Sequence, residues 1–207
     1  MTGPSATTIR SISVQKREPA WMTAYRLKSL AAFRTCRRPS WGPDLEGLKL
    51  NDLNYYLRPV VDPKRSWRDV PRDVKRAFDR MGVPMAERAL LAGVGAQFDS
   101  EMIYHSYRDA LKKQGVVFSS MEEGVHEHPD IVRRHFGKLV PAHDNLFAAL
   151  NSAAWSGGSF IYVPKGVKVE LPLSAFFMIN ARRFGQFERT LIIADDDSSV
   201  HYVEGCT

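Results

Sequence analysis

The sequence predicts an α+β protein, helical through residue 155 and rich in strands after it. Three observations carry this reading. Up to residue 155, apolar residues recur at spacings of three and four, and Pro and Gly punctuate the ends of the runs. Ser156-Gly157-Gly158 then interrupts the chain. Beyond it, short β-branched and aromatic runs alternate with turn residues, the pattern of extended chain. The boundaries that follow are a flexible polar tail over 1–17, a mainly helical region over 18–155 and a β-rich region over 156–207.

The tail is assigned because MTGPSATTIRSISVQKREP has no apolar core; for the same reason it is not a secretory signal. The first helix is expected from Pro19 to Arg34. Proline suits a helix start, and Trp21, Tyr25, Leu27, Leu30, Ala31 and Phe33 form an apolar stripe. Pro39, Gly42 and Pro43 end it. Asp44–Leu57 is rich in Leu, with Gly47 weakening a helix. Further helices are expected from Asp69 to Gly82 and from Pro84 to Leu91, the latter ended by Gly93. Gln97–Tyr104 reads as extended. Tyr107–Lys113 reads as a helix closed by Gly115, and Val116–Phe118 as a strand. Ser120-Met121-Glu122-Glu123 has the form of a capping box. Pro129 opens a helix that Gly137 closes, and Asn145–Trp155 forms the last one.

In the β-rich part, Phe160–Val163, Val167–Leu171, Ala175–Ile179, Phe187–Ala194 and Val200–Glu204 each read as strands. Val167, Val169 and Leu171 alternate with Lys168 and Glu170, which gives that segment one wet face. Short strands at this spacing suit a sandwich, a barrel or a stacked parallel β-helix, and periodicity does not choose among them.

Composition bounds the function. The chain has 207 residues, 44% apolar and 25% charged, which is the range of a globular protein. No apolar run reaches the length of a membrane span, so the expected compartment is the cytoplasm. Charge is uneven, with 17 Lys and Arg against 8 Asp and Glu in residues 1–80, and 12 against 15 afterwards. Such a basic half fits either a solvated helical face or the docking of an acidic partner; no nucleic-acid motif is present. The two cysteines, Cys36 and Cys206, are too few for a disulfide framework, and neither sits in a CxxC pair. A cysteine that matters here acts as a thiolate nucleophile or as one ligand of a shared site. Gly93-Val94-Gly95 and Ser156-Gly157-Gly158-Ser159 lack the form of a phosphate loop and read as a helix end and a tight entry to the β region. His126, His128 and His135 lie close in sequence, but no carboxylate or cysteine pattern completes a zinc site. Asp195-Asp196-Asp197 would be needed as a carboxylate set for a carbohydrate-active enzyme, and a polar turn is the simpler account.

Five blocks resemble one family. They are EPAWMTAYRLKSL (Glu18–Leu30), SWRDVP (Ser66–Pro71), GVPMAERALLAGVGAQFDSEMIYH (Gly82–His105), FAALNSAAWSGGSFIYVPKGVKVELPL (Phe147–Leu173) and GQFERTLIIADDDSSVHYVEGCT (Gly185–Thr207). Together they resemble the SufB/SufD family of iron–sulfur cluster assembly scaffolds, and specifically the N-terminal portion of a member, cut off inside its β-rich core. The resemblance implies a helical N-terminal region followed by the first coils of a right-handed parallel β-helix. It implies a scaffold, not an enzyme, that accepts persulfide sulfur and holds a nascent, transient iron–sulfur cluster. The implied partners are the SufC ATPase, SufD and a sulfur carrier of SufE or SufU type, and reduced flavin binds some members. Neither nucleic acid nor membrane is implied.

By the same resemblance Cys206, in Tyr202-Val203-Glu204-Gly205-Cys206, is the persulfide acceptor and a candidate iron–sulfur ligand, since both roles need a soft thiolate. One cysteine is not a whole cluster site, so other ligands come from elsewhere. Asn180 is carried over as a weaker cofactor-binding position. The family reads Tyr-Phe-Arg-Ile-Asn where this chain has Phe176-Phe177-Met178-Ile179-Asn180, and Met178 supplies neither the charge nor the donors of that arginine. Cys36 matches no family role, and no N-terminal CxxCxxxC cluster motif is present. Glu204 and His201 are expected to face outward. The alternative reading is a non-catalytic interaction module with a basic helical surface.

Overall fold

The computed structural model describes residues 1–41, 43–57, 72, 76, 93–98, 101–107, 109–179 and 182–206. Helices dominate the chain through residue 156 and strands dominate after it, so the α+β expectation holds. Two units are distinguished, the first made of Met1–Leu57, Glu122–Ser156 and Ala181–Arg189, the second of Arg58–Met121, Gly157–Asn180 and Thr190–Thr207. The helices expected over Asp69–Gly82 and Pro84–Leu91 lie outside the described residues, apart from the helical Arg72 and Arg76.

The first unit is helical. Residues 6–15, which composition places in a flexible tail, form α1 (Ala6–Gln15), capped by the Ser5 hydroxyl accepting from the Thr8 N–H. Ile9 and Ile12 are fully buried. Two apolar side chains are too few to register as a helical stripe, and packing against α2 (Ala20–Thr35) supplies what intrinsic propensity does not. Residues before α1 are also tied down. Gly3 donates to the Leu53 carbonyl, and Tyr55 donates to that of Met1.

Helix α2 occupies the expected span, with Pro19 at its N-cap; Leu27, Leu30 and Phe33 of the expected stripe pack on the core, but the fully buried face is rotated toward Met22 and Arg26. The buried residues are Met22, Arg26, Ser29 and Leu30, whereas Trp21 and Tyr25 are half-buried on the flank. Arg26 causes the rotation. Its Nε and Nη2 donate to the two carboxylate oxygens of Glu18, and Nη1 donates to the carbonyls of Ala153 (3.0 Å) and Trp155 (2.8 Å). The guanidinium also lies 4.4 Å from the centre of the Trp155 ring. A charge taken out of water this completely persists only when every donor finds an acceptor.

Those carbonyls end α6 (Leu146–Ala154), whose N-terminus is capped by the Asn145 side chain accepting from Phe147 and Ala148. Short α4 (Met121–Glu127) and α5 (Pro129–His135) precede it in the chain. The core joins Ile9, Ile12, Leu30, Tyr55, Tyr56, Leu150, Ala153 and Ala154. The alanines let α6 approach α2 closely.

The second unit holds two sheets, ordered β2-β1-β5-β7 and β3-β4-β6. The hairpin β1 (Gly93–Phe98) and β2 (Glu101–Tyr107) is antiparallel with a register shift after Ala96. Gly93-Val94-Gly95, expected at a helix end, instead opens β1, because these residues pair with both β2 and β5. Helix α3 (Asp109–Lys113) leads to β3 (Val117–Ser120), which pairs antiparallel with β4 (Ser159–Val163). From β4 the chain alternates between sheets through β5 (Leu173–Met178), β6 (Leu191–Ala194) and β7 (Tyr202–Cys206). β4 pairs parallel with β6, and β5 with β7. Each pass therefore lies in register on the one before. The earlier pass is two residues longer between the Lys168–Ser199 bridge and the Leu173–Tyr202 pair, where it carries Leu171-Pro172.

Two expected strands contract. Val167–Leu171 keeps only the Lys168–Ser199 bridge, although its alternation is real, with Val169 buried and Lys168 and Glu170 exposed. Of Phe187–Ala194 only the last four residues form β6. The core here joins Leu111, Val116, Phe118, Ile161, Val163, Val169 and Leu173. Gly157 and Gly158 admit the chain to β4 at positive φ of 83° and 101°. The Gly158 N–H donates to the buried Gln97 Oε1 at 3.0 Å, and a Cβ on Gly157 would lie 1.8 Å from that oxygen.

Two outcomes are expected. Arg26→Met strands the Glu18 carboxylate in the core and should cost about 3–5 kcal/mol in urea unfolding, with Glu18→Gln added on top recovering part of the loss. Gly157→Ala should cost well over the ~1 kcal/mol of a strained φ, because it also strikes Gln97. Gln97→Ala in the same chain should relieve the collision but not the strain, as measured by thermal midpoints.

Candidate functional site

β7 pairs in parallel through its backbone with β5, with Gly205 opposite Phe176 and Cys206 opposite Phe177. Gly205 is where the strand comes closest to its neighbour, since a Cβ there would meet the Phe176 ring at 3.0 Å. The pleat sends Tyr202, Glu204 and Cys206 to one face. Tyr202 is half-buried, while Glu204 and Cys206 are exposed, as is His201 just before the strand. The outward placement expected of Glu204 and His201 is met.

The three side chains are linked. The Cys206 Sγ–H donates to Glu204 Oε1 at 3.9 Å. The Tyr202 hydroxyl donates to Glu204 Oε2 at 2.9 Å and lies 3.0 Å from the Ser159 hydroxyl oxygen. Thr190 Oγ1 donates to the same Oε2 at 3.4 Å and accepts from the Ser159 N–H at 3.3 Å. Ser159 begins β4 and Thr190 immediately precedes β6; Thr190 reaches the carboxylate directly and Ser159 reaches it through Tyr202. Burial pushes the Tyr202 phenol well above its ordinary pKa, and the Glu204 charge adds to that rise. Tyr202 thus remains a hydroxyl donor at neutral pH.

A carboxylate oxygen and a thiol sulfur 3.9 Å apart form a mixed hard and soft pair. Bond lengths of about 2.3 Å to sulfur and about 2.1 Å to oxygen allow one metal ion to span that gap. The pair supplies two ligands and leaves the rest of a coordination shell open. Nothing else is needed for the thiolate to act as a nucleophile toward a sulfane sulfur.

Of the two site residues expected from sequence, Cys206 stands at this cluster, and Asn180 lies outside the described residues. Met178 is buried at the end of β5. Cys36 belongs to the first unit, where it caps α2 and is half-buried. His126 Nε2 donates to the Lys16 carbonyl at 3.1 Å, a structural contact. The Asp195–Asp197 segment is an exposed turn, with Lys165 near Asp196 and Tyr162 near Asp195. Sequence reasoning missed Tyr202, Ser159 and Thr190 as functional positions. Strand alternation over 202–206 could have found the first. The other two are joined to it only by sheet packing.

A family model described as the SufBD protein N-terminal region matches residues 9–174. The iron–sulfur cluster assembly protein SufB of Bacillus subtilis (strain 168) is 53% identical over 199 residues, which is 96% of this chain and 43% of that protein. Iron–sulfur cluster assembly SufBD family proteins of Staphylococcus aureus, from strains USA300 and MRSA252, are 51% identical over the same 96% and 43%. The chain spans less than half the length of these curated relatives.

The raised Tyr202 pKa has a consequence for stability. The unfolded chain releases the phenolic proton near pH 10 and the folded chain holds it, so the contribution is full below pH 10 and is lost as pH rises above it. Tyr202→Phe should therefore show a smaller fall in urea midpoint above pH 10 than the wild type.

Proposed function

The chain belongs to the SufBD family, and from that premise we propose that it serves iron–sulfur cluster assembly by accepting sulfur at Cys206. It corresponds to the N-terminal portion of its relatives. In this reading its β-rich part is the first turns of a right-handed parallel β-helix. Support comes from the alternation of β4 to β7 between two sheets, each strand paired parallel with the one a turn later. Stacking turns this way presents a long face on which one strand can offer side chains to a partner.

The observation that carries the reading is the exposed Cys206–Glu204 pair on β7, with Tyr202 and Thr190 orienting the carboxylate. Sulfur arrives as the persulfide of a carrier of SufE or SufU type. The Cys206 thiolate attacks the outer sulfur, a new S–S bond forms on Cys206, and the carrier's own S–S bond breaks. The electron pair leaves with the carrier thiolate, so no net oxidant is required. The proton of Cys206 leaves along its contact with Glu204 Oε1. Iron and sulfide are the cargo. Cys206 and Glu204 offer a soft and a hard ligand to the nascent cluster, and the remaining ligands come from other parts of the assembled protein. The partners in this reading are SufC and SufD. Reduced flavin, if it takes part, rests on the family resemblance and is bound in the assembled complex. The chain is a scaffold and not a turnover enzyme, and the compartment is the cytoplasm. Among the described residues no helix is long and apolar enough to cross a membrane.

Cys206→Ser in the full-length protein should abolish cluster assembly in a SUF-deficient strain and leave association with SufC and SufD intact. The change is nearly isosteric and costs about 1 kcal/mol or less in packing, while a hydroxyl neither accepts sulfane sulfur nor binds iron as a soft ligand. Cys36→Ser should be silent in the same assay. Normal growth with Cys206→Ser removes the acceptor role, and lost association assigns the cysteine to structure.

A further inference from the structure

We propose that a groove beside α2 and α5 in the first unit docks an acidic segment of a partner protein, one with a bulky apolar residue between carboxylates. The groove is a cavity of about 490 Å³. Trp21, Tyr25 and Phe136 line its apolar part, with the Tyr25 and Phe136 rings edge to face at 5.3 Å. Lys28, Arg133 and Lys138 stand around it, all exposed, and no carboxylate lines it among the described residues. The chain turns sharply at Gly137, at φ 67°, where the absence of a Cβ lets the Tyr25 hydroxyl lie against the backbone. That hydroxyl is buried with no hydrogen-bond partner among the described residues. Directly after Lys138 the chain presents Leu139, 95% exposed, and Val140, 53% exposed.

An aromatic cleft with an apolar flank and a cationic rim is a surface of two chemistries. Aromatic and arginine side chains are the residues that anchor interfaces, and Leu139 and Val140 extend the apolar surface beside them. The rim selects the sign of the occupant, since three cations without a lining carboxylate repel a basic segment and steer an acidic one. A nucleic acid is the poorer fit. Its backbone needs a longer basic track than three side chains around one cleft, and it gains nothing from Leu139 and Val140. The proposal involves neither Cys206 nor its unit, and it stands or falls separately from the sulfur-acceptor reading.

The test uses the full chain and a short fluorescein-labelled peptide in which glutamates flank a central Phe-Leu pair, read by fluorescence anisotropy. The wild type should bind it, and binding should weaken several-fold on raising the salt. Arg133→Glu with Lys138→Glu should weaken it about tenfold or more. Both positions are exposed, so the circular dichroism spectrum and thermal midpoint should match the wild type. Trp21→Ala should weaken binding at any salt, as loss of the apolar anchor requires. Four results overturn the proposal: no binding by the wild type, equal binding by the charge-reversed variant, equal binding of a peptide with lysine in place of glutamate, or tighter binding of a polyuridine oligonucleotide than of the acidic peptide. If charge reversal lowers the thermal midpoint, Lys28→Gln takes its place, and unchanged peptide affinity in that variant has the same overturning force.

Discussion

The helical unit is arranged around one buried guanidinium. Arg26 has no exposed surface, and its donors go to both oxygens of Glu18 and to the two carbonyls that close α6. A helix end leaves its last carbonyls without partners, and burying them unpaired would cost as much as a lost hydrogen bond each. Arg26 meets that need from a neighbouring helix. In return, the carbonyls and the carboxylate make burial of the charge tolerable. Cation and acceptors are each costly alone, so α2 and α6 are held at one register.

Consequences spread from that contact. With Met22, Arg26, Ser29 and Leu30 facing the core, Trp21 and Tyr25 are carried to the flank of α2. There they meet Phe136 at the end of α5, which itself packs at 5.3 Å from the Trp155 ring that lies over Arg26. The aromatic cleft and its cationic rim are thus a by-product of which side chain α2 buries. The half-buried Arg189, whose guanidinium sits 5.1 Å from the centre of the Phe136 ring and whose pKa is lowered by desolvation, holds the loop at Val140 from another direction.

The second unit follows a different constraint, the in-register pairing of one pass of chain on the next. On the earlier pass, β4 is flanked by β3 and β6, and β5 by β1 and β7. On the later pass, β6 and β7 each have one strand neighbour among the described residues. Cys206 and Glu204 sit on β7, held in register by its pairing with β5. The carboxylate is kept from wandering by the hydroxyls of Tyr202 and Thr190, so exposure and orientation coexist at one place.

Much was legible in the residues alone. The change of period at Ser156, the helix expected from Asn145, the Gly115 and Gly137 stops and the outward placement of Glu204 are local properties, set by φ preference, periodicity and alternation within a few positions. The resemblance of the EGC segment singled out Cys206 in the same way. Tertiary structure alone decided the rest. It folded α1 from a segment with only two core side chains, because packing supplies what helix propensity lacks. It turned Gly93–Gly95 into a strand by pairing it with Leu173–Ala175. It made Arg26 a core residue by placing acceptors from positions 153 and 155 around it, and it brought Ser159 to Tyr202 and Thr190 to Glu204. Each of these depends on partners far away along the chain, and a local pattern carries no record of what will be packed against it.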